Sequence, residues 1–149
     1  MSITPDQELQ FGDLVTTGGG YREVSPQGQV LDVGLVSLST GTAHPARVTV
    51  RYDRGDNSRD RLNLRIQMTF TASQSAGGGA ARISRFQTDL PNGTSFAPGQ
   101  IVELQIADCV TRICERTFNL GARLQVDPQF KGSQVAIPVG VDATLISTE

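Results

Sequence analysis

Three observations predict an all-β protein, a β-sandwich of seven to nine short strands. The stretch Leu62–Ala72 (LNLRIQMTFTA) places Leu62, Leu64, Ile66, Met68 and Phe70 on every second residue, with Asn63, Arg65, Gln67 and Thr69 between them. A strand sends alternate side chains to opposite faces, so this run has one apolar and one polar face. A helix would scatter the five around its circumference and bury Arg65 with them. The same two-residue period recurs along the chain, and helical spacing does not. Sixteen glycines and seven prolines in 149 residues supply the turns that many short strands need. A sandwich is favoured over a barrel because the polar faces read as wet and no polar interior lining emerges.

Taken in order, residues 1–8 are polar apart from Ile3, and Pro5 argues against a continuous central strand, so they form an extended N-terminal segment. Leu9, Phe11, Leu14 and Val15 suit a first strand bent at Gly12. Gly18, Gly19 and Gly20 read as a flexible turn, after which 21–24 resumes an extended run. Ser25-Pro26-Gln27-Gly28 is a tight turn: proline pre-sets the first corner and glycine tolerates a positive φ. Residues 30–38 are β-rich, and 39–45 form a loop that holds His44. Residues 46–52 (ARVTVRY) alternate with Ala46, Val48, Val50 and Tyr52 inward, and a charged turn then leads to Leu62–Ala72. Those two strands are spaced to form a long hairpin.

Residues 73–81 (SQSAGGGAA) are small and polar and read as a flexible loop. A short strand at 83–86 precedes a turn at Pro91-Asn92-Gly93 and a bend at 96–99. Val102, Leu104 and Ile106 line one face of 100–107. Phe118, Leu120, Ala122, Leu124 and Val126 line the next strand, with Arg116, Asn119 and Arg123 wet. The longest alternating run comes last: Val135, Ile137, Val139, Val141, Ala143 and Leu145 in one strand. Pro138 makes it an edge strand or a bulged one. A chain of this length forms one domain, here 1–149.

The charge excludes some functions. A net charge of −2 is too small to imply a partner, and the basic residues, twelve arginines and Lys131, are spread among aspartates. No positive stripe with interleaved aromatics offers itself to nucleic acid. No apolar run is long enough for a membrane span. The opening MSITPD lacks the basic start and apolar core of a signal peptide. That leaves either an intracellular protein or a mature exported segment.

Candidate sites are few. Cys109 and Cys114 lie between two strand-like runs, so 110–113 reads as a hairpin loop with the cysteines facing across its base. A disulfide there would contribute about 2 kcal/mol by loop-closure entropy and would favour a compartment outside the cytosol. The alternative is two free thiols; zinc is disfavoured, since His44 brings the ligands only to three. His44 has no nucleophile motif beside it, so no catalytic residue is assigned and the protein is expected not to be an enzyme. Asp53, Asp56, Asn57 and Asp60 offer oxygen ligands for calcium, but their order does not fit an EF-hand and Arg51, Arg54, Arg59 and Arg61 neutralise them. A solvated turn with local ion pairs is the favoured reading. Arg54-Gly55-Asp56 spells an integrin-binding tripeptide, a match short enough to arise by chance. Gly77, Gly78 and Gly79 lack the Lys-Ser/Thr and the helix of a phosphate loop. No metal site and no cofactor is expected.

Several segments together resemble a family of uncharacterised bacterial exported domains with a pilin-like, immunoglobulin-type sandwich. They are Leu9-Gln10-Phe11-Gly12, the glycine-rich turn, Val24-Ser25-Pro26-Gln27-Gly28, Gly41, His44-Pro45-Ala46-Arg47-Val48-Thr49-Val50, and the closing 130–145 segment. The resemblance implies an exported domain, related in fold to fimbrial subunits and without enzymatic activity. It implies a structural or adhesive role in the periplasm, at the cell surface or secreted, with other protein subunits as partners through strand edges. Fimbrial subunits receive a donor strand from a neighbour, but the polar, proline-broken 1–8 segment is poor material for one. The alternative is a secreted small-ligand or carbohydrate-binding sandwich that uses the loops around 53–60 or 73–81, with a glycan or calcium as partner.

Overall fold

The computed structural model describes residues 1–39, 43–72, 81–91, 95–128, 133–136 and 139–148, with the backbone alone at 13–17, 35–39 and 133–136. Among these residues the chain is all-β, ten strands in two antiparallel sheets. The strands are β1 (Ser2–Gln7), β2 (Gln10–Val24), β3 (Val30–Ser39), β4 (Ala46–Asp53), β5 (Leu62–Ala72), β6 (Ala81–Thr88), β7 (Ile101–Cys109), β8 (Ile113–Val126), β9 (Ser133–Ala136) and β10 (Val139–Thr148). Seven form one sheet along β1-β4-β8-β2-β3, with β6 on β8 and β9 on β2; three form the other, β10-β5-β7. Ten strands exceed the expected seven to nine, because the N-terminal segment is itself a strand and the closing run is two.

Alternation fixes the core. Leu64, Ile66, Met68 and Phe70 of β5 are buried, as are Val102, Leu104 and Ile106 of β7. Facing them lie Ala46, Val48 and Val50 of β4 and the five expected positions of β8, from Phe118 to Val126. At the centre the Phe70 ring sits 5.2 Å from Phe96 and 6.0 Å from both Phe86 and Phe118, within the range of favourable ring contacts.

Periodicity says which residues face inward, not which strands pair, and the structure corrects the pairing in three places. Residues 46–52 and β5 do not form a hairpin: β4 pairs with β1 and β8 in the large sheet, while β5 pairs with β10 and β7 in the small one. Eight intervening residues, 54–61, let the chain arch from one sheet to the other, so the two apolar faces meet across the core. The cysteine segment is likewise an arch and not a hairpin, since β7 and β8 lie in different sheets. The closing run divides as well. Its β9 pairs with β2 in the large sheet and its β10 with β5 in the small one. Residues 137 and 138, where Pro138 was expected to mark an edge or bulge, lie outside the described residues, as do 73–80 of the expected flexible loop and Asn92 and Gly93 of the expected turn.

The glycines at 18–20 do not form a turn either; β2 runs through them. Thr16 pairs with Leu35 and Tyr21 with Val33, so β2 places four residues where β3 places one, Gly34. The two backbones approach so closely that a Cβ on Gly20 would lie 2.1 Å from the Val33 carbonyl oxygen, and Gly34 has a φ of +74°. Glycine is required at both. The ribbon folds over here. The Arg22 guanidinium reaches the Phe11 carbonyl at 2.7 Å, although eleven residues of straight strand would span roughly 36 Å.

The tight turn after β2 is as expected: the Gly28 amide donates to the Ser25 carbonyl at 2.9 Å, and Gly28 has a φ of 88°. β1 is an edge strand on β4, with a register break between Pro5 and Gln7. An edge is where a residue without an N–H is tolerated in a sheet.

Candidate functional site

The sandwich is open along one side. There the edge strands β1 and β10 lie on different sheets, and neither the register of one nor that of the other joins them. Between them runs a groove of about 330 Å³. Its floor is Ala46 and Val48 of β4; one wall is Ile3 and Pro5 of β1, the other Val139 and Val141 of β10, and Leu9 with Gln7 and Glu8 closes it. The inward side chains of β10 are only half-buried, unlike those of its neighbour β5. A sheet face that is apolar but incompletely covered can accept apolar side chains from an added strand.

The opposite character prevails at the arches. Cys109 and Cys114 are bonded, their Cα atoms 5.9 Å apart, and because β7 and β8 belong to different sheets the disulfide staples one sheet to the other. Arg54, at the start of the neighbouring arch, donates to the carbonyls of Ser58 at 3.0 Å, Asp60 at 2.9 Å and Cys109 at 2.9 Å. The Arg54 amide donates to the Arg112 carbonyl at 3.0 Å, and Arg112 Nε donates to Asp53 at 3.0 Å. The arginine of the integrin-type tripeptide is thus turned inward to tie the arches together.

Of the oxygen ligands weighed against a solvated turn, Asp53 and Asp56 find local hydrogen-bond partners. Asp53 accepts from the Gly55 amide and Arg112, which hold its carboxyl below the usual range. Asp56 accepts from the Ser58 amide. Among the described residues no three His, Cys, Asp or Glu side chains gather as a metal-binding group. A second opening of about 510 Å³ lies between the arches, lined by Asn57, Ser58 and Arg59 on one side and Val110, Thr111 and Arg112 on the other.

His44 forms an isolated bridge with Gln10, their amides and carbonyls exchanging hydrogen bonds of 2.9 and 3.1 Å. The Gln7 side-chain amide lies 2.9 Å from His44 Nδ1 and donates to the Pro45 carbonyl at 2.9 Å. These contacts position the start of β4 beside β2.

Sequence reading missed one buried group. Arg22 is fully buried and pairs with Asp32 through two hydrogen bonds, of 2.6 and 3.0 Å, besides its bond to Phe11. The signal was present: once the turn is placed at Ser25-Pro26-Gln27-Gly28, antiparallel register sets Arg22 opposite Asp32. The groove was less visible, since it depends on which strands are edges.

No curated protein matches the chain. The model of one family, described as a domain of unknown function (DUF4402), matches residues 1–137.

Proposed function

The chain therefore belongs to the DUF4402 family, and from that premise we propose that it is a non-enzymatic, exported surface protein with a structural or adhesive role. In this reading it resembles the pilin-like, immunoglobulin-type subunits of fimbriae and associates with other protein subunits through its strand edges. The apolar groove between β1 and β10 carries the reading: it offers Val48, Val139 and Val141 to an extended segment of another subunit. The Cys109–Cys114 bond adds support for a location in the periplasm, on the cell surface or outside the cell, where disulfides persist. Cell fractionation combined with size-exclusion chromatography and electron microscopy tests it. Surface location with assemblies is expected; strict monomers confined to the cytosol would overturn it.

A second reading, a small-ligand or carbohydrate-binding module, is favoured by the polar opening between the arches, where Asn57, Ser58, Arg59 and Thr111 present donors and acceptors. A glycan array and a calcium-dependent melting curve distinguish it. Hits that Arg59→Ala abolishes are expected if it holds, and an empty array with an unmoved melting temperature removes it.

A further inference from the structure

An arginine drawn into a protein is ordinarily matched by a carboxylate, as Arg22 is by Asp32. Among the described residues Arg54 has no such ion pair. Its half-buried side chain donates to the carbonyls of Ser58, Asp60 and Cys109, all of them neutral. Its Nε is buried and, among the described residues, has no hydrogen-bond partner. The Nη2 atom lies 4.0 Å from Cys114 Sγ. That sulfur can become an anion once its disulfide is opened.

The two sulfurs of the staple are not equivalent. Cys114, near the start of β8, is buried, whereas Cys109, at the end of β7, is half-buried. Cys109 Sγ lies 3.6 Å from the Thr111 carbonyl oxygen and 3.9 Å from that of Ile113. Cys114 Sγ has the Thr111 carbonyl at 3.8 Å and, in addition, the Arg54 cation. Carbonyl oxygens disfavour an anion beside them, and a cation at this distance favours one. Val110, Thr111 and Arg112, the residues between the cysteines, form one wall of the 510 Å³ opening. An opening of that size admits a small molecule to the loop that the bond closes.

We propose that Cys109 is a site of thiol–disulfide exchange with a low-molecular-weight thiol of the glutathione kind, Cys114 leaving as a thiolate held by Arg54. The incoming thiolate, its proton already lost to solvent, bonds to Cys109 Sγ. The Cys109–Cys114 bond breaks at the same time, and its electron pair stays on Cys114 Sγ. The attacking sulfur is oxidised and Cys114 is reduced, so no further reductant is consumed. The product is a mixed disulfide at Cys109 beside an ion pair of Cys114 with Arg54. Access selects the sulfur attacked and the counter-charge selects the one that leaves, since a stabilised thiolate departs faster. Exchange unfastens the two sheets at the arches and leaves the β1–β10 groove untouched, so it stands apart from assembly through strand edges.

The test is to incubate the folded full chain with reduced glutathione, quench in acid and block free thiols with N-ethylmaleimide. A tryptic cut after Arg112 separates the two cysteines, so mass spectrometry assigns each label. Glutathione is expected on Cys109 and maleimide on Cys114. Arg54→Met should slow the exchange about threefold to tenfold, as loss of a cation beside the leaving sulfur requires. Arg54→Lys keeps the charge and should restore most of the rate. Were Arg54 only a tie between the arches, both variants would loosen the loop and exchange faster. An unmodified wild type, glutathione on Cys114 or an even split would each overturn the proposal. So would a rate in Arg54→Met that is unchanged or raised, or one that lysine does not restore. The labelling pattern needs no variant and decides the matter if either variant fails to fold.

Discussion

At the arches the two sheets are stapled by Cys109–Cys114 and tied by Arg54, and near the centre four phenylalanine rings fill the space between them. Along β1 and β10 the same two sheets are held by half-buried valines and a groove. Both regions arise from the same alternating pattern. What separates them is whether a strand has neighbours on both sides: β5 lies between β10 and β7, whereas β10 ends its sheet. One side is closed by a covalent staple and packed rings, and the other is left as an apolar groove.

The largest expected effect tests that contrast directly. Phe70→Ala removes the ring that three others contact and should destabilise the fold by about 3–5 kcal/mol in chemical denaturation. Val141→Ala, on the groove, should cost no more than about 1 kcal/mol, because its side chain is only half-buried. Equal losses would break the comparison. Arg22→Met sharpens it from within one sheet, since Asp32 is left partly buried without its cation. A loss of about 3–5 kcal/mol is expected, most of it recovered when Asp32→Leu is added.

Reduction of Cys109–Cys114 releases a short loop and should cost about 2 kcal/mol, read as a lower denaturation midpoint with and without reductant. Removing the staple should also raise amide exchange at the arches before it does so at β10; the opposite order would show the open side to be the tighter one. The smallest effect is electrostatic. On the outer face Arg65 and then Gln105 hydrogen-bond Glu103, holding its carboxyl down to about 2 from 4.5. A depressed carboxylate contributes stability that is full above its unfolded pKa and lost as pH falls through the folded one. NMR titration should therefore find Glu103 ionised well below pH 4.5, with its contribution fading towards pH 2. Arg65→Met should raise the midpoint towards the ordinary glutamate range, with Gln105 still holding it below.

Inward and outward positions were legible in the sequence because alternation states them residue by residue. Ile66, Leu104 and Leu120 are buried, and the turn that contains Gly28 closes as the Pro-Gly pattern predicts. Pairing was not legible. The alternation of 46–52 and that of β5 are compatible with a hairpin or with two facing sheets, and only long-range packing decides between them. The glycines at 18–20 misled for a related reason: glycine suits a turn and also suits two backbones in near contact, and Gly34, the other party, is fourteen residues away. Of the candidate sites, the cysteine pair could be read from spacing, although not that it would join two sheets. Arg54 could be read as a displayed tripeptide because nothing local shows the carbonyls of Ser58, Asp60 and Cys109 turning towards it.

The divided closing run bears on how the protein reaches this state. β5 finds its partner far downstream, with Ala72 against Val139 and Leu64 against Thr148. Contacts this distant in sequence slow folding, to roughly milliseconds or seconds in β-rich domains. Until β10 docks, Ile66, Met68 and Phe70 sit on a strand with one flank bare. A chain in that condition is exposed to misassociation for as long as the search lasts, so a helper that shields β5 would raise the yield of folded protein without changing its final stability.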